Sequence, residues 1–190
     1  MTNALKLNVL AFVLLFYTWK RCDGLVKVIL DFDRWELTNG SNIFNMDSVR
    51  VRKFNRTLSV LNGTGSLLVD LDDTYEYGFN FARSAQGNNQ YNAYPMKLAS
   101  KPMCEFLKVY YREYQDQFLK FTNLPYVPKE GLCPFPKGNY WVKNAYIDSS
   151  VIPLVVPEGF WRASPELRNV ETGEVVSTGS FYVKLTKEYA

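Results

Sequence analysis

The sequence contains no histidine. This removes the side chain most often used as a general base near neutral pH, and with it every Ser-His or Cys-His nucleophile pair. With no imidazole and few cysteines, a zinc site has little to draw on, and we expect neither a metal nor a cofactor. Neither charge sign dominates: 22 Lys+Arg stand against 19 Asp+Glu. Such a balance lacks the basic stripe that nucleic-acid binding requires, so no nucleic-acid partner is expected.

Long apolar runs are also missing, except at the start. Residues 7–19 are almost continuously apolar, preceded by Lys6 and closed by Lys20, Arg21 and Asp23. The run falls short of the roughly 20 residues that span a bilayer. Cys22 and Gly24 place small residues at −3 and −1 of a cut after Gly24. Residues 1–24 therefore read as a secretory signal peptide, and 25–190 as a single secreted, extracellular domain with no transmembrane span after cleavage. Cleavage leaves 19 basic and 18 acidic residues, a net charge of about +1.

Export changes how the cysteines read. Cys22 leaves with the signal, so Cys104 and Cys133 remain as an even pair in an oxidising compartment, and a disulfide is expected. Two separate buried thiols are the alternative. Three sequons, at Asn39, Asn55 and Asn62, are candidate glycan acceptors. Asn62-Gly63 also reads as simple turn chemistry between a strand ending at Leu61 and another over 67–71.

Elsewhere the dominant period is two. Val26, Val28, Leu30 and Phe32 share one strand face, and Tyr77, Phe79 and Phe81 share another with Tyr75. Residues 49–54 and 57–61 read as one long or broken strand. Further strands are predicted over 140–147, 160–167 and 181–185. One segment departs from this pattern. Met103, Leu107, Tyr110, Tyr114, Phe118 and Phe121 recur at steps of three and four, predicting a helix over about 101–121 with Ser100 as N-cap. Seven or more strands with one inserted α-helix make a mainly β fold, a β-sandwich with a helical cover.

Candidate chemistry is sparse. Asp31 with Asp33, and Asp70, Asp72 and Asp73, are the carboxylate clusters, and facing carboxylates can hydrolyse glycosides. A solvated turn explains the second cluster more simply, and we expect no enzyme and no catalytic residues. The aromatic strand face and the helical stripe read either as ordinary core or as the lining of an apolar pocket. In the second case Tyr77, Phe79, Phe81, Leu107, Tyr110, Tyr114 and Phe118 are the candidate ligand contacts.

The block Cys133-Pro134-Phe135-Pro136-Lys137-Gly138-Asn139-Tyr140, followed by Ile152-Pro153 and Pro157-Glu158-Gly159-Phe160-Trp161-Arg162, resembles an insect family of secreted proteins that includes the chemosensory CheB proteins. Cys104 matches the family's cysteine before its helix-like stretch, and Asn55-Arg56-Thr57 is similar to its early segment. The resemblance implies kinship with the ML (ganglioside-activator-like) lipid-recognition superfamily. It thus implies an immunoglobulin-like sandwich or cup opened at one edge, binding a lipid or pheromone-like molecule without catalysis. The competing expectation is an extracellular module with a filled core and a protein partner.

Overall fold

The computed structural model describes residues 26–189; the expected signal peptide lies outside them. Nine strands are described: β1 (Val26–Asn39), β2 (Phe44–Asn45), β3 (Arg50–Lys53), β4 (Ser59–Leu67), β5 (Tyr75–Ser84), β6 (Asn92–Pro102), β7 (Gly138–Ala145), β8 (Gly159–Asn169) and β9 (Val175–Tyr189). A helical rod over 103–121 separates β6 from β7. It consists of α1 (Met103–Phe106), a π turn (Leu107–Tyr111), α2 (Arg112–Phe118) and a 3-10 turn (Leu119–Phe121). No helix among the described residues is long and apolar enough to cross a membrane.

Two antiparallel sheets form. The larger has the order β1-β9-β8-β5-β6; in the smaller, β4 is central, with β2 and β3 along one side and β7 along the other. The mainly β sandwich with one inserted helical segment is therefore the architecture observed. The expected alternation in β1 buries Val28, Leu30 and Phe32. A register shift between Phe32 and Arg34 then re-phases the strand, so that Trp35 pairs with Phe181 and continues the apolar face to a later end than the pattern suggests.

Several local expectations are corrected. Residues 49–61 are not one strand but a β3–β4 hairpin, in which the Phe54 N–H donates to Leu58 O at 2.9 Å. Asn62-Gly63 is not a turn, because β4 runs straight through it. Gly63 sits at φ +143° beside a register shift against β7, and a Cβ there would lie 2.3 Å from Ser48 O. The glycine thus carries a bulge rather than a turn. The strand expected over 67–71 reduces to the end of β4 and a single bridge from Leu71 to Phe135. β6 has no counterpart among the expected strands. It is an edge strand interrupted by Pro95, with register shifts against β5 that break the period-two signal.

The sheets meet where β1 passes the β3–β4 hairpin. Asp31 Oδ1 accepts from Ser59 N–H at 2.6 Å, and Lys53 Nζ lies 3.0 Å from Oδ2. Desolvation pushes the Asp31 carboxyl up, but the hydrogen bonds from Ser59 and Lys53 outweigh it and hold the group below its ordinary value of 3.8. A lowered folded-state value stabilises the fold above that ordinary value, and the contribution disappears as pH falls through the lowered one. Thermal unfolding followed across acidic pH is expected to show a shallower decline for Asp31→Asn. Near neutral pH the variant should lose about 1 kcal/mol.

Candidate functional site

The inner face of β5 carries Tyr77, Phe79 and Phe81. Tyr77 meets Phe79 edge-on at 5.3 Å, and Phe79 lies nearly parallel to Phe81 at 6.4 Å. This file crosses the junction of two apolar clusters. Tyr77 and Phe79 pack on the one under the rod, centred on Met103, Phe106, Leu107 and Leu167; Phe81 packs on the other, around Leu30, Phe32, Trp161 and Leu185. None of the three residues is fully buried, although they lie on the covered side of the sheet. Burial nonetheless pushes the Tyr77 phenol above its ordinary value of 10.

The rod closes over this file from the β6 side. Phe106 packs against Tyr77 at 4.6 Å and against Tyr110 at 6.0 Å, while Leu107 is completely buried. Ser100 is not its N-cap: it lies in β6, and its hydroxyl donates to Glu76. The first turn is met from another element, since Asp73 Oδ1 accepts from Cys104 N–H at 2.9 Å. The expected stripe holds at Met103, Leu107 and Tyr110 but breaks at Tyr114. The π turn inserts one extra residue and rotates the remainder of the rod by about 100°. Tyr114 is therefore 49% exposed, while its neighbour Gln115 is buried. Phe118 keeps an apolar partner, Tyr111, at 4.8 Å.

Gln115 is the structural residue the pattern conceals, because a polar side chain breaks an apolar stripe. Its Nε2 donates to Val127 O at 3.1 Å, and its Oε1 accepts from Val127 N–H at 2.8 Å. Tyr111 donates to Pro125 O at 2.8 Å, and the Cys104–Cys133 disulfide joins the rod's first turn to the same strap, residues 122–137. The disulfide is the pairing expected from the cysteine count.

The carboxylates have partners of their own. Asp33 pairs with Arg34, Asp70 accepts from Lys137 N–H, and Asp72 accepts from both the Thr74 N–H and hydroxyl. With Asp73 on the rod and Asp31 between the sheets, each holds backbone or a cation. A groove of about 280 Å³ lies at the β5–β6 seam, on the face of β5 opposite the aromatic file, with Lys97, Glu166 and Arg168 at its rim. Gly78 floors it: a Cβ there would come within 3.0 Å of Ser100 Cα, which the bulged edge strand brings close.

The three sequons differ in setting. Asn55 is exposed in the β3–β4 turn, where its Oδ1 accepts from Thr57 and Leu58, leaving Nδ2 toward solvent. Asn39 is exposed at the end of β1, its Nδ2 at 3.4 Å from Val175 O. Asn62 is half-buried in the middle of β4, with both ends of its amide paired to Asn144. Peptide mass spectrometry of secreted protein is expected to find a glycan on Asn55 and none on Asn62, where it would break that pairing.

Fold and site together define a two-sheet β-sandwich whose inner aromatic file lies under a stapled helical rod. Residues 78–163 match the model of a family described as a protein of unknown function (DUF1091). The match runs from β5 through the rod and β7 into β8, and it includes both the 133–140 block and the 157–162 turn. No curated protein matches the chain.

Proposed function

We propose that this chain is a secreted, non-enzymatic binding protein for a lipid or other hydrophobic small molecule. The observation that carries the reading is the inner file Tyr77–Phe79–Phe81: three aromatic residues in a row on a covered sheet face, none fully buried, at the junction of two apolar clusters. Apolar surface left in that state gains about 25 cal/mol per Å² when a ligand covers it, before ordering costs. Leu107 shapes the wall from behind, and Tyr110 and Phe106 lie at the edge the rod covers. The resemblance to a chemosensory family makes pheromone-like amphiphiles the first class to try.

Titration with a fluorescent fatty-acid probe tests the proposal. Saturable binding is expected, weakened at least about tenfold by Phe79→Ala and unchanged by Tyr114→Ala. Thermal unfolding establishes that both variants are folded. An absence of saturable binding, or equal binding by the Phe79 variant, would overturn the reading.

A further inference from the structure

The connection between β7 and β8 presents aliphatic side chains to solvent in a fixed conformation. Val155 is 85% exposed, Leu154 44% and Val151 39%. Ile152 and Val156 point the other way and pack on the cluster that holds Trp161 and Leu185. The tip is held from several sides. Asp148 accepts from Ser150 N–H at the 3-10 turn Ser149–Val151, and Val156 N–H donates to Pro153 O at 3.0 Å. Lys187 Nζ donates to Leu154 O at 2.6 Å, and Arg83 donates to Glu158 O. A tip anchored in this way loses little conformational freedom when something covers it.

An exposed aliphatic patch of this kind marks a contact surface. Its composition separates two classes of partner. Protein hot spots are built from Trp, Tyr and Arg, with Leu and Val under-represented. A segment that enters a lipid interface instead carries aliphatic residues at its tip, with aromatic and basic residues at its root. Here the tip is Val and Leu. At the root, Tyr146 packs on Phe121 at 4.9 Å, Lys120 lies near Asp148, and Arg83 and Lys187, which donate to Glu158 O and Leu154 O, add positive charge. The two local acids, Asp148 and Glu158, are held by backbone N–H groups.

We infer that the 151–155 tip inserts shallowly into the surface of an anionic lipid layer, with the surrounding cations facing the headgroups. This surface stands apart from the interior binding reading, since a filled core would leave it intact.

Vesicle flotation with the full secreted chain tests it. The protein is expected to float with mixed phosphatidylcholine–phosphatidylserine vesicles and much less with phosphatidylcholine alone. Leu154→Asp combined with Val155→Asp should reduce flotation at least about tenfold with thermal unfolding unchanged. Val155→Trp should show blue-shifted emission relative to wild type when the mixed vesicles are added. Wild-type protein that stays in solution, equal flotation of the double variant, or equal binding to neutral vesicles would overturn the inference. So would self-association that the double variant abolishes, because it would assign the tip to a protein interface.

Discussion

Replacing Cys104 and Cys133 together by serine is expected to lower the unfolding free energy by about 3–4 kcal/mol, the loop-closure entropy that a crosslink of this span removes from the unfolded chain. The separation is 29 residues. Within that loop lie nearly the whole rod and most of the strap that returns to β7, so the bond limits how far the rod can drift from the sheets. Denaturant unfolding of wild type and double variant measures the difference. The full loss is expected if the Gln115 and Tyr111 contacts keep the rod fixed without the bond, and a smaller one if the native rod loosens when the bond is removed. Single serine variants are poorer tests, since they leave a free thiol able to cross-link chains.

The second large effect concerns the phase of the rod. Gln115→Leu preserves much of the volume but leaves the Val127 N–H and C=O buried without partners, a cost of about 2–4 kcal/mol. Tyr114→Ala should cost less than about 0.5 kcal/mol, as expected for an exposed position away from such features. An uninterrupted α-helix with the sequence stripe would give the opposite ranking, with Tyr114 in the core and Gln115 in solvent. Chemical denaturation of the two variants therefore reads the π turn directly. If Tyr114→Ala proves the more damaging, the rotation of α2 is wrong.

These two experiments also mark where the sequence is informative. Period-two alternation locates β1, β5, β7, β8 and β9. The cysteine pair is legible from the two cysteines left once residues 1–24 are read as a signal peptide. Regular patterns do not reveal the places where the chain departs from regular geometry. The bulge after Phe32 hides the second half of β1. The Gly63 bulge mimics a turn, and Pro95 with two register shifts disguises β6. The extent of the rod is nearly as expected, 103–121 against about 101–121, but its inner face differs at Tyr114 and Gln115. A single inserted residue carries no compositional mark, and the buried Gln115 has the look of a surface residue. The candidate site divides along the same line. Tyr77, Phe79, Phe81, Leu107 and Tyr110 lie in the interior, Phe118 is sheltered by Tyr111, and Tyr114 faces solvent.

Aromatic residues that are not fully buried inside a sandwich leave a definite question: whether a hydrophobic molecule covers them. Native mass spectrometry of protein secreted from eukaryotic cells, followed by organic extraction, addresses it most directly. The account predicts a bound small amphiphile at about one copy per chain, lost on extraction and restored by adding the extract back. It also predicts that the Phe79→Ala protein carries markedly less. A chain that emerges at its ligand-free mass, takes up nothing from a lipid extract and binds no probe would contradict the central claim, leaving a filled sandwich.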